Sequence, residues 1–173
     1  RPVEFFTSLL NNQPMGFYSS ATLIKDAQRR GVKFISVCAI KSEIECKIES
    51  DDSIRLGFTV VRGLGRESAL QLIAERARQP FASLDDFKRR VPLTKAELRL
   101  LAEIGALNGF AGHRRGALWH AEAPVREDDL FGVPSDASAT MTSPLAPMDY
   151  AGRLQADFKG MSLTVGRHPM ALV

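Results

Sequence analysis

Apolar positions in the first thirty residues recur at helical intervals. Val3, Phe6, Leu9 and Leu10 follow Pro2, which a first helical turn tolerates, and predict a short amphipathic helix over residues 2–11. A second helix is expected to start behind Ser19 or Ser20 as N-cap and to bury Leu23, Ile24 and Ala27. It should stop at Gly31, just after the cations Arg29 and Arg30. The period then changes. Residues 33–40 and 43–48 favour extended backbone, and residues 51–53 read as a turn into a further extended stretch at 54–57, so a small two- or three-stranded element is predicted.

From Phe58 onward the pattern is helical again, in short pieces separated by glycine-bearing turns. Ser83 with Asp86 approximates a capping box before Phe87, and Thr94 with Glu97 makes a better one, opening a helix through Leu98, Leu101 and Ala102. Beyond Ala121 the composition shifts to Pro124, Pro134, Pro144 and Pro147 among Ser, Thr, Asp and Ala, which reads as a linker. Helical spacing returns from Gly152 to Phe158. The expectation is a mainly α fold with a small β element, in which short helices precede a tandem helix-hairpin-helix domain. Its parts are a helical segment over residues 1–33, the β element over 34–57, paired hairpins over 58–122, and a Pro-rich linker approaching a following domain over 123–173.

The turn Gly63-Leu64-Gly65 separates two stretches of helical character. Glycines on either side of one apolar residue permit positive φ and a close ligand approach, Leu64 anchors the turn in the core, and the next helix offers unpaired N–H groups at its positive dipole end. Arg62 and Arg66 flank it with formal charge. This is a phosphate seat in outline, although the same pattern also makes an ordinary tight turn. A degenerate copy follows at Gly105-Ala106-Leu107, between the capped helix at residues 95–103 and a stretch containing Arg114 and Arg115. Two such turns could fix a duplex by its backbone without reading bases, because phosphate contacts position and base contacts specify. Ala106 in place of a second glycine weakens the copy.

Charge agrees with this placement. The net charge of +3 says little, but residues 55–120 hold 12 Lys+Arg against 6 Asp+Glu, while residues 1–54 balance at 7 and 7 and residues 121–173 hold 4 against 7. Other chemistry is poorly supported. The pairs Asp51-Asp52, Asp85-Asp86 and Asp128-Asp129 sit at a turn, a cap and the linker, and adjacent side chains diverge, so two-metal catalysis is not expected of them. His113 and His120 read as solvated or packing residues, and Trp119 as core more than as a base-stacking platform. Cys38 and Cys46 do not fall at zinc-ligand spacing with His113, His120 and His168, so they read as free thiols of a reducing compartment. No apolar run approaches the roughly 20 residues of a membrane helix and no secretory leader is visible, which leads to the expectation of a cytoplasmic protein without a membrane partner. Arg1 in place of methionine suggests a piece of something longer.

Several motifs together carry a resemblance: Val3-Glu-Phe-Phe, Leu9-Leu-Asn-Asn-Gln-Pro-Met-Gly-Phe-Tyr18, Lys25-Asp-Ala-Gln-Arg-Arg-Gly31, Arg55-Leu-Gly and Val61-Arg-Gly-Leu-Gly65. With Pro80-Phe-Ala-Ser-Leu-Asp-Asp-Phe87, Ala102-Glu-Ile-Gly-Ala-Leu107, Gly160-Met-Ser-Leu163 and Arg167-His-Pro-Met170, nearly the whole chain resembles the bacterial C-family DNA polymerases. The matching stretch joins the end of the fingers to the tandem helix-hairpin-helix region, and the Gln-Pro-Met-Gly-Phe-Tyr wording is closer to the error-prone branch, tied to synthesis across DNA damage, than to the replicative alpha subunit. The resemblance implies a non-catalytic piece of a DNA-directed DNA polymerase, without the catalytic carboxylates. Arg62, Gly63, Leu64, Gly65 and Arg66 would contact the backbone of primer–template duplex, and the second turn, with Gly105, Ala106, Leu107, Arg114 and Arg115, would either join them on the duplex or only pack against the first hairpin. It implies no cofactor for the piece itself, and Mg and deoxynucleoside triphosphates for the parent. The partners are the rest of the polymerase chain, with a processivity clamp and repair proteins suggested further. Residues 124–150 fit the family pattern poorly. The alternatives are a helix-hairpin-helix module of another repair or recombination enzyme, or a protein-interaction scaffold in which the glycines only shape a turn.

Overall fold

The structure, a computed structural model, describes residues 2–14, 16–123 and 143–166. Helix α1 (Pro2–Asn11) buries Val3, Phe6 and Leu10, and packs against α2 (Ser20–Arg29), which buries Leu23, Ile24 and Ala27. Ser19 caps α2 as expected, its hydroxyl accepting the Thr22 N–H at 3.3 Å, and Gly31 ends the turn at φ +86°.

Three short strands follow, β1 (Lys33–Ile35), β2 (Lys47–Ser50) and β3 (Ser53–Arg55), in the order β1-β3-β2. Strand β3 runs parallel to β1, with Lys33 opposite Ser53, and antiparallel to β2, with an irregularity between Ile48 and Ser50. The predicted extension of β1 to residue 40 does not form, because the backbone there has other partners. The Ala39 N–H donates to Ala106 O (2.9 Å), the Cys38 N–H to Ser42 Oγ (2.9 Å), and the Arg76 guanidinium takes the carbonyls of Ala39 and Ser42. The chain thus leaves the sheet to be tied to the helical half.

The helix expected from Phe58 is a single 3₁₀ turn, Phe58–Val60. The N–H groups of Phe58 and Thr59 donate across to the carbonyls of Glu43 and Ile44, and Gly57 lies so close to the backbone of residues 44–45 that no side chain would fit. Then come α3 (Arg66–Arg78), α4 (Leu84–Arg90), α5 (Lys95–Glu103), the single turn α6 (Asn108–Ala111), α7 (Arg114–Glu122) and α8 (Tyr150–Met161). Ser83 caps α4, accepting the Asp86 N–H at 3.1 Å, and both halves of the Thr94–Glu97 capping box are made.

Helix α7 lies along α5 and buries its small residues Gly116, Ala117 and Ala121, with Gly116 against Ala111 and His113. Trp119 is on its other side and 42% exposed, which corrects the expectation that it is core. Helix α8 crosses back over α5 at Gly160, where any Cβ would collide with the Ile104 side chain. One apolar cluster runs from Val3 to Leu163. The Pro-rich stretch at residues 124–142 and the motif at 167–170 lie outside the described residues.

Candidate nucleic-acid interface

The first hairpin consists of the 3₁₀ turn, the bend at Arg62 and Gly63, half-buried Leu64, and Gly65 as N-cap of α3. Its glycines do different things. Gly63 has φ +91°, where a side chain is strained, whereas Gly65 has ordinary extended backbone (φ −63°, ψ 139°). At Gly65 space is the constraint, since an added Cβ would stand 3.3 Å from both Glu97 Oε1 and Ser68 Oγ.

Both ends of this turn are pinned by later elements. The Arg62 N–H donates to Gly160 O on α8 at 2.8 Å, and the Gly65 N–H donates to Glu97 Oε1 on α5 at 2.9 Å. The other Glu97 oxygen accepts from the Thr94 N–H and hydroxyl, each at 2.9 Å. Burial by itself would raise the Glu97 pKa. Bonds from the Gly65 and Thr94 amides and from the Ser68 and Thr94 hydroxyls outweigh that effect and hold the carboxyl below the usual carboxylate range. In sequence Glu97 is legible only as a cap. Its bond to a residue 32 positions away has no local signal.

The outward side of the turn is open. Arg62, Gly63, Gly65 and Arg66 are exposed, and both arginines are ion-paired to no described residue. The first-turn N–H groups of Arg66, Glu67 and Ser68 meet no acceptor among the described residues, and they lie at the positive end of α3. Glu67 adds one exposed negative charge to that turn.

The second turn is arranged differently. Gly105 takes φ +84°, but Ala106 and Leu107 are fully buried. The Ala106 N–H donates to Leu101 O at 2.8 Å while its carbonyl accepts from Ala39, so neither side chain nor backbone of this residue faces outward. Arg114 is turned inward, with Nη1 2.7 Å from Asp157 Oδ1 and their side chains only 11% and 8% exposed. That oxygen takes no formed hydrogen bond, so the contact is ionic, while Asp157 Oδ2 accepts from the Thr164 hydroxyl at 3.0 Å. Arg115 is exposed, with Nη1 3.3 Å from Ala146 O. The structure therefore brings Arg62, Gly63, Gly65 and Arg66 together as one exposed group over half-buried Leu64, and it puts Ala106 and Leu107 in the core, Arg114 in an ion pair, Arg115 at the surface and Gly105 half-buried.

Much of the basic excess of residues 55–120 also has internal partners. Arg76 pairs with Glu43 at 2.9 Å besides its two carbonyls, and Arg90 lies 4.7 Å over the Phe81 ring while bonding Glu75. Lys88 reaches the carbonyls of His120 and Ala123. Cys38 and Cys46 are free thiols. Among the described residues no group of acidic, His or Cys side chains could hold a metal ion, and no helix is long and apolar enough to cross a membrane.

A short turn with one positive-φ glycine, followed at once by a helix whose first N–H groups are open, places this molecule among proteins built on the helix-hairpin-helix. The chain belongs to the helix-hairpin-helix motif family, which matches it over residues 31–117. Among curated relatives, the error-prone DNA polymerase of Alkalilimnicola ehrlichii is 41% identical, and those of Aromatoleum aromaticum and Burkholderia pseudomallei are each 40% identical, all over 99% of this chain. The chain spans 17% of the length of these three relatives. The resemblance carried by the quoted motifs, including the error-prone branch, is borne out by these names.

Proposed function

We propose that this chain is the duplex-gripping region of an error-prone DNA-directed DNA polymerase that copies across damaged template, and that it binds primer–template through backbone phosphates without reading bases. The observation that carries this reading is the exposed group at the first hairpin, where two arginines without an ion-pair partner among the described residues flank a glycine turn that leads into a helix start whose first N–H groups meet no described acceptor. Its placement within a polymerase is supported by relatives of that name, 40% and 41% identical over 99% of the chain. In the parent the nucleotidyl transfer, with its Mg and deoxynucleoside triphosphates, is assigned to parts outside these residues. The rest of the polymerase is the immediate partner, with a processivity clamp and repair proteins as further ones.

The test is fluorescence anisotropy of the chain with labelled primer–template across a salt series, alongside Arg62→Glu/Arg66→Glu. Binding that weakens steeply with salt, is indifferent to base sequence and collapses in the double variant is expected. Binding that survives both salt and charge reversal would move the grip elsewhere. Absence of binding in both proteins would favour the scaffold.

A further inference from the structure

We infer that Glu97 is a positioning residue for the phosphate grip: the second hairpin acts on DNA indirectly, by holding the turn of the first in its gripping shape through this one carboxylate. The inference rests on the reading that the first hairpin binds the phosphodiester backbone. Glu97 is 8% exposed, yet its two oxygens are divided between two hairpins. Oε1 takes the Gly65 N–H at 2.9 Å, and Oε2 takes the Thr94 N–H and hydroxyl that start α5. One turn further along α5, Leu100 lies beneath Gly63, with Cδ2 3.5 Å from where a Cβ would be. At the other end of the turn, Arg62 is held by Gly160 O of α8, which is packed on Leu100 and Ile104.

The bend between these two anchors carries Arg62, Gly63 and Leu64, and Arg66 follows Gly65 directly, so the direction of both arginines depends on where Gly65 is held. The same bond takes the Gly65 amide out of the phosphate seat. A phosphate oxygen is left the first-turn amides of α3 and the two guanidinium groups, at a helix start that already has a buried anion beside it. A charge-assisted hydrogen bond is stronger than a neutral one, and a misplaced fork geometry loses binding without loss of charge.

The experiment measures duplex affinity of the full chain at constant salt for wild type, Glu97→Ala, Glu97→Gln and Thr94→Ala, each also combined with Arg62→Ala/Arg66→Ala. Amide exchange at Gly65 is followed without DNA. The expected result is a loss of about tenfold for Glu97→Ala, partly restored by Glu97→Gln, with no further loss once both arginines are gone. Gly65 exchange should quicken in Glu97→Ala. Thr94→Ala, which weakens the cap but keeps the Gly65 bond, should lower Tm with affinity retained, and Glu97→Gln, which should still lose part of the affinity, serves if Glu97→Ala fails to fold. Unchanged affinity in Glu97→Ala, or equal losses in Thr94→Ala and Glu97→Gln, would reduce Glu97 to a structural cap. Tighter binding in both Glu97 variants would overturn the inference in favour of simple charge repulsion. Should wild type itself bind no duplex, the proposed function fails while the Gly65 exchange result still reports on the clasp.

Discussion

The two hairpin turns begin from similar sequence and end with opposite assignments. Gly63-Leu64-Gly65 lies at the surface with Arg62 and Arg66 exposed, whereas Ala106 and Leu107 are sealed in the core and Arg114 is ion-paired to Asp157. The difference lies in what is packed behind each turn. The first has α5 and α8 beneath it and nothing described above it. The second is covered on its outer side by the residue 39 loop and flanked by α8, so its backbone groups find protein partners. A repeated motif does not imply a repeated contact. One copy is left exposed and the other is packed into the fold.

The largest effect expected from testing this contrast is on stability. Arg114→Ala leaves Asp157 buried without its cation and should cost about 3 kcal/mol in chemical denaturation, while the folded fraction keeps its duplex affinity. A fall in affinity that persists when Arg62→Ala/Arg66→Ala is also present would make the second hairpin a direct contact. Arg62→Glu/Arg66→Glu should do the reverse, lowering affinity about thirtyfold with Tm nearly unchanged, since neither side chain has a partner among the described residues. Gly63→Ala should cost about 1 to 2 kcal/mol from its φ of +91°. Gly105→Ala should cost more, because its Cβ would also stand 2.8 Å from Arg114 Nε. Only the Gly63 variant should weaken DNA binding.

A smaller effect concerns pH. The folded state holds the Glu97 carboxyl below its ordinary value, so its contribution to stability is fully present above the unfolded pKa of about 4.3 and is lost as pH falls below that toward the folded value. The Tm difference between wild type and Glu97→Gln should therefore narrow below pH 4.3, and a difference constant with pH would place the carboxylate outside the clasp. The smallest effect expected is for Arg115→Ala, whose exposed bond to Ala146 O should contribute under twofold to affinity by anisotropy.

What could be foreseen from sequence was what local rules govern. Ser19, Ser83 and the Thr94–Glu97 box each cap the helix expected of them, and Gly31, Gly63 and Gly105 each take positive φ at a turn. What escaped depends on partners distant in the chain. Residues 36–40 have strand-like composition, but Arg76 and Ala106 claim their backbone groups. Arg76, Arg90 and Arg114 look in sequence like Arg62 and Arg66, and only the folded chain separates cations that hold carbonyls and carboxylates from those left facing water. Trp119 is exposed because α7 buries its small residues instead, a choice that apolar character alone does not reveal.

Helix α8 comes after both hairpins in the chain, yet it supplies the carbonyl that ties Arg62 and the carboxylate that neutralises Arg114. Residues 31–117, which match the motif family, therefore end before the helix that ties both turns. An excised module ending at Glu122 would keep every residue of both turns but lose the anchor of one and strand a charge in the other. During synthesis, too, the turn at Arg62 can be tied only after residue 160 has left the ribosome.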